Sequence, residues 1–183
     1  MSRIAPKLTA TEGMEIAEAA LVFPVLFMLL LGIVWFGRAF QVYATMSQAA
    51  QQGVALAARP VCATCTPGTG TWTGTSFPGD GAVENAILAT TDAARLDRSQ
   101  MTPATLTMSA CTAPPAPPGG GCSTSPGGYF TICRAVQLNP ASTPQQCGTV
   151  VGFQYAFQFN LPFTSLNMRP ITLKAQAQSR MEN

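Results

Sequence analysis

Thr11–Arg59 reads TEGMEIAEAALVFPVLFMLLLGIVWFGRAFQVYATMSQAAQQGVALAAR. Between Glu18 and Arg38 lie nineteen consecutive residues without a charge, most of them Leu, Val, Ile, Phe, Met and Ala. At about 1.5 Å per residue a helix of that length spans roughly 28 Å, close to the hydrocarbon thickness of a bilayer. In lipid a single span must pair every backbone N–H and C=O within itself, and only a helix does so. From Arg38 to Ala58 the apolar residues Phe40, Tyr43, Met46, Ala50, Val54 and Ala57 recur at steps of three and four, an amphipathic stripe that carries on from the span. Gly53 weakens the helix without ending it, and Pro60 ends it. The stretch predicts one long helix over 14–59, its first half suited to lipid and its second half to a protein core.

A cleaved secretory signal is the first alternative. Its apolar core runs to about 7–15 residues and closes at a small-x-small site. The core here is longer and leads into Phe36-Gly37-Arg38, so it is expected to be retained. The leader, 1–13, is too polar for lipid and too short to fold. Arg3 and Lys7 lie before the span and Arg38 and Arg59 after it, which leaves the positive-inside rule nearly neutral. The cysteines break the tie. All six (Cys62, Cys65, Cys111, Cys122, Cys133 and Cys147) follow the span, in a region rich in Pro, Gly, Ser and Thr, as in small exported domains stapled by disulfides. This places the N-terminus in the cytoplasm and residues 60–183 in an oxidising compartment. With a net charge of +2 and 10% charged residues the chain has no basic run for phosphates, and nucleic acid is not an expected partner.

Beyond Pro60 the chain reads as follows. Residues 60–81 are a Thr/Gly/Pro loop. Helical spacing returns over 82–97, with Val83, Ile87, Ala94 and Leu96 on or near one side and Glu84 in the first turn. Thr105–Met108 and Tyr129–Cys133 are strand-like, separated by a Pro/Gly loop over 112–128. Phe153–Asn160 sets four aromatics at alternate positions, which describes a strand with one buried and one wet face. Ile171–Ser179 alternates again. A helix followed by antiparallel strands is an α+β layout: a long N-terminal helix on a small antiparallel sheet, with a second short helix. The outer half of the long helix, with Phe40, Tyr43 and Met46, is expected to cover the aromatic face.

Little of this points to catalysis. Cys62-Ala63-Thr64-Cys65 is a C-x-x-C, but Thr66-Pro67-Gly68 follows it where a redox pair needs a helix N-terminus, and zinc would need a second ligand pair. A structural disulfide is the simplest reading. The other four cysteines pair most simply as Cys111–Cys122 and Cys133–Cys147, although six cysteines allow 15 connectivities. A loop of this size contributes about 3 kcal/mol in the chain-entropy model. Histidine is absent, which removes the commonest general base, and Asp92 and Asp97 are expected on different sides of a helix. Gly119-Gly120-Gly121 follows a proline run with no strand before it, a flexible loop and not a phosphate cradle. Neither an enzyme nor a cofactor is expected.

The N-terminal edge is the most specific feature. Glu18 lies five residues after Gly13, at the mouth of the uncharged run, where a carboxylate is expensive unless it meets a partner or water. Glu18-Ala19-Ala20-Leu21, Phe23-Pro24 and Trp35-Phe36-Gly37-Arg38 complete the pattern, and Pro170–Ala177 closes the chain in a similar style. The chain resembles the type IV pilin class, and within it the TadE-like minor pilins (pseudopilins) of tight-adherence (Flp) pili, although Ala19 stands where that family usually has an aromatic. The resemblance implies that a prepilin peptidase cuts between Gly13 and Met14. It further implies that Glu18 meets the new amine of a neighbouring subunit and that Pro24 bends the span. The implied partners are other pilin or pseudopilin subunits, the prepilin peptidase, the inner-membrane pilus assembly platform and membrane lipid. The implied location is the bacterial inner membrane, single-pass, with the C-terminal domain periplasmic and the subunit able to enter a surface pilus used in attachment. Two other classes stand beside this one. A membrane-tethered binding or adhesion domain would keep its N-terminus and be indifferent to Glu18, and a thiol oxidoreductase would show cycling Cys62 and Cys65 thiols.

Overall fold

The computed structural model describes residues 10–59, 77–111, 120–141, 143–158 and 169–180, and of 10–13 and 15 the backbone only. The chain divides into two compact units, Met1–Phe40 and Gln41–Asn183.

In the first unit the described residues are helix throughout. This helix, α1 (Ala10–Ala57), runs on into the second unit. Ala, Leu and Met favour the helix and dominate its sequence. Pro24 sits inside it without ending it. The helix begins four residues before the expected Met14, so the Gly13–Met14 peptide is itself helical. It closes at Ala57, where the Ala58 N–H still donates to the Val54 carbonyl at 2.9 Å and Pro60 can donate nothing further.

The second unit joins the end of α1 to α2 (Asp80–Ala93) and to a five-stranded antiparallel sheet. The strands are β1 (Met101–Pro103), β2 (Gly121–Thr124), β3 (Thr131–Asn139), β4 (Gln146–Phe157) and β5 (Ile171–Arg180). This is the expected α+β architecture with two helices. β4 is the central strand. β5 lines one side of it in unbroken register from Gly148↔Arg180 to Phe157↔Ile171. On the other side β3 pairs as far as Thr131↔Gly152, and β1 then takes over from Pro103↔Phe153. β2 pairs the outer side of β3.

The main core brings Met46, Ala49, Ala50, Val54 and Ala57 of α1 together with Val83, Ile87 and Leu88 of α2. Against them lie Phe130, Ile132, Val151, Phe153, Ala175 and Ala177 of the sheet side. Phe130 meets Phe153 edge to face with centroids 5.1 Å apart, a favourable arrangement of ring quadrupoles. The expected cover is therefore right at Met46 and wrong at Phe40 and Tyr43, which stay exposed at 72% and 46%. Counted at about 100° per residue, Phe40 lies roughly 120° around the helix from Met46.

Other differences have local causes. β4 starts seven residues before Phe153, and from Gly148 to Phe153 every residue is buried, so the wetter face expected from Phe153 onward, where Gln154 and Ala156 are half-buried, does not extend to the first half of the strand. The covering material is a second cluster of Cys133, Val136 and Val150, flanked by Leu106, Met108 and Leu138. Thr105–Met108 thus alternates as expected, with its apolar side chains inward, but forms no strand; the short strand lies earlier, at Met101–Pro103. α2 stops at Ala93 and not at 97. Arg95 turns left-handed (φ 56°), and the Leu96 N–H closes back on the Thr91 carbonyl at 3.0 Å, a Schellman-type end. Asp80, not Glu84, is the acid of its first turn.

Candidate functional site

The site that the sequence singles out lies on α1. Met14 and Glu18 are one helical turn apart, on the same face, and both are exposed. Pro24 has no N–H, so the Ala20 carbonyl one turn earlier lacks its usual intrahelical donor. From Ile16 the helix contains a stretch long and apolar enough to cross a membrane, and none of that stretch is buried. Phe23 and Met28 are 71% and 75% exposed, which in water would waste their apolar area. At the far end the Arg38 guanidinium lies over the Trp35 ring, 5.9 Å from its centroid. The structure thus sets Met14, Glu18 and Pro24 in order along one exposed helix.

The cysteines fall elsewhere. Cys122 and Cys133 face each other across β2 and β3 and form one disulfide. Cys111 and Cys147 form a second among the described residues, with Cα atoms 5.9 Å apart. The simplest sequence pairing, Cys111–Cys122 and Cys133–Cys147, is overturned. The Cys111 N–H donates to the Ala135 carbonyl, so the segment that ends at Cys111 docks on β3 and brings Cys111 to the start of β4. Cys62 and Cys65 lie outside the described residues. Among the described residues no group of three His, Cys, Asp or Glu side chains is placed to hold a metal ion.

Two groups of polar contacts were not legible in the sequence. Asp80 accepts from Ser123 at 2.7 Å and pairs with Arg134 at 2.9 Å, and Arg134 also donates to the Pro78 carbonyl at 2.7 Å. Glu84, buried, accepts the Gly127 N–H at 2.9 Å. Together they fasten α2 to the β2–β3 hairpin, a structural duty. Asp92 and Asp97 do not share a helix, because α2 ends at Ala93 and Asp97 lies beyond it. Asp92 pairs with Arg98, whose hydrogen bond holds its carboxyl below the ordinary value. Asp97 caps the Arg98–Gln100 turn by accepting the Ser99 N–H, which lowers its carboxyl too.

Residues 13–55 match the family described as TadE-like protein. The TadE-like match begins at Gly13, takes in Met14, Glu18 and Pro24, and stops two residues before α1 ends. Comparison with curated proteins and with solved structures gives no match.

Proposed function

We propose that the chain is a minor pilin or pseudopilin: a non-catalytic subunit anchored in the inner membrane by α1 and needed for assembly of a tight-adherence pilus. The observation that carries this reading is the TadE-like match, laid over an exposed helix with Glu18 at the start of its uncharged run. In the mechanism that follows, cutting after Gly13 leaves Met14 with a free amine. Glu18 takes up the amine of another subunit, which relieves the cost of a carboxylate at the lip of the bilayer. Pro24 leaves the Ala20 carbonyl open and lets the helix bend as it packs against its neighbours. The two disulfides among the described residues support a periplasmic location for residues 60–183.

N-terminal sequencing of the membrane-extracted protein tests the first step, and a mature chain beginning at Met14 is expected. Glu18→Ala should insert in the membrane normally and fail to enter fibres. Normal piliation with that variant sinks the mechanism. A single-span tethered domain acting outside any fibre is the competing reading, favoured by the halt of the match at residue 55; it requires an intact leader.

A further inference from the structure

β5 is one border of the sheet. β4 lines one of its sides, and among the described residues nothing hydrogen-bonds to the other. In an antiparallel ladder alternate residues turn their N–H and C=O groups toward the neighbouring strand, so the remaining ones of Ile171–Arg180 point away from β4. The other borders are guarded. β1 has three residues and ends in Pro103, and β2 has four. Beyond β2 the open side of β3 is taken by residues 109–111, where the Cys111 N–H donates to the Ala135 carbonyl and the Gln137 N–H donates to the Ser109 carbonyl. β5 has none of these protections, since it runs for 10 residues with neither a proline nor a bulge.

The side chains of β5 select what can pair there. Lys174, Gln176, Gln178 and Arg180 are exposed on the face away from the main core, while Ala175 and Ala177 are buried on the other. The strand holds no acid, and among the described residues no carboxylate pairs with Lys174 or Arg180. A second copy fits poorly. Symmetric antiparallel pairing sets residues of the same face opposite one another, so in every register that joins most of the strand Lys174 meets a cation of the copy, directly or on the diagonal. We propose that the free edge of β5 binds an extended, acidic segment of another protein as an added antiparallel strand, with carboxylates opposite Lys174 and Arg180. Main-chain hydrogen bonds supply the affinity, and the two cations choose the sequence. The inference depends on the second unit alone, and not on processing after Gly13, membrane crossing or entry into a fibre.

The probe is an end-capped, dye-labelled peptide, Ser-Glu-Val-Thr-Val-Thr-Val-Glu-Val-Thr, whose two glutamates fall opposite Arg180 and Lys174 in antiparallel register. Its binding to the full chain in non-ionic micelles is followed by fluorescence anisotropy. The glutamate peptide should bind, and its counterpart with lysine at both glutamate positions should bind about tenfold more weakly. In the chain carrying Lys174→Glu and Arg180→Glu that preference should reverse, a gain that a misfolded variant cannot produce. N-methylation of one alternate set of peptide amides should abolish binding, and N-methylation of the other set should leave it intact. Equal binding of the two peptides overturns the proposal, and so does no binding of the glutamate peptide at millimolar concentration. Equal tolerance of both methylated sets also overturns it, because attraction without strand pairing would then be the whole effect. Amide exchange of the chain by itself gives an independent check: the β5 N–H groups directed away from β4 should exchange fast and slow down when the peptide is added. Slow exchange before any peptide is present shows the edge already occupied by a second copy or another segment, and the proposal falls.

Discussion

The seat of α2 on α1 turns on one missing side chain, and Gly53→Ala probes it. A methyl at Gly53 would sit 2.6 Å from both Cγ1 and Cδ1 of Ile87 and 3.7 Å from Cγ1 of Val83. Carbon atoms prefer separations of about 3.5–4.0 Å, so Ile87 has to retreat by roughly an ångström. It is fully buried and has nowhere free to go. Overpacking of this kind costs about 1–3 kcal/mol, and replacing a mid-helix glycine by alanine returns about 1 kcal/mol. The expected net effect is destabilisation of up to about 2 kcal/mol. Ile87→Ala alone should cost about 2–5 kcal/mol, but it removes both offending atoms. In that background Gly53→Ala should stabilise by about 1 kcal/mol, so the sign of the substitution reverses. Unfolding of the full chain in detergent micelles, followed by pulse proteolysis across a denaturant series, measures all four corners of the cycle. The same sign in both backgrounds would refute the packing argument, because the effect of alanine would then owe nothing to Ile87.

The two disulfides should differ in worth. In the chain-entropy model the bridge between Cys122 and Cys133, 11 residues apart, contributes about 2.8 kcal/mol, and that between Cys111 and Cys147, 36 apart, about 3.8 kcal/mol. Paired alanine substitutions read the order, and non-reducing peptide mapping that linked Cys111 to Cys122 would overturn the connectivity. Acid should loosen the end of α2. Asp92 and Asp97 have carboxyls held below their ordinary value of 3.8, by the Arg98 hydrogen bond and the Ser99 N–H respectively. Each binds its proton less readily folded than unfolded. The stability they lend is therefore complete above the ordinary value and lost as the pH falls through the lowered one. Asp92→Asn should flatten the stability curve below about pH 4, and an unchanged acid limb would count against the pair.

The fold was legible where a single period governed the burial. The long helix, the alternation of Ile171–Ser179 and the inward positions Val83 and Ile87 follow from side-chain spacing, whereas Ala94, expected on the same side, is exposed and Leu96 is buried past the end of α2. The failures come from partners that spacing cannot see. β4 reads as half-wet because its aromatic end alternates, yet its middle carries a second covering from Leu106, Met108 and Leu138, which arrive from other segments. Disulfide partners went astray because proximity in sequence is a poor guide once Cys111 is carried to β4 by its hydrogen bond to β3. On α1 the residue types at Gly13, Glu18 and Pro24 stand out in the sequence. The approach of Arg38 to the Trp35 ring had a signal too, an aromatic three residues before the first cation that follows the uncharged run.

Phe40 and Tyr43 were misassigned for a deeper reason: one helix is being read in two solvents. Across Leu21–Leu30 the large apolar side chains of α1 are exposed on every side, whereas its buried positions from Met46 to Ala57 are mostly alanine and glycine. A lipid tail is as apolar as a leucine, so size and rotational position are nearly free on a surface that lipid covers. Against Ile87, Phe130 and Phe153 they are not free, since close approach requires the helix to present little of its own. A periodicity count weights a phenylalanine and an alanine as equally inward. The composition change near Gln41, from large apolar residues to Ala, Gly and Gln, carries the information the period lacks. It marks where packing density takes over from hydrophobicity as the selecting force, and Phe40 and Tyr43, which precede Met46, stay exposed.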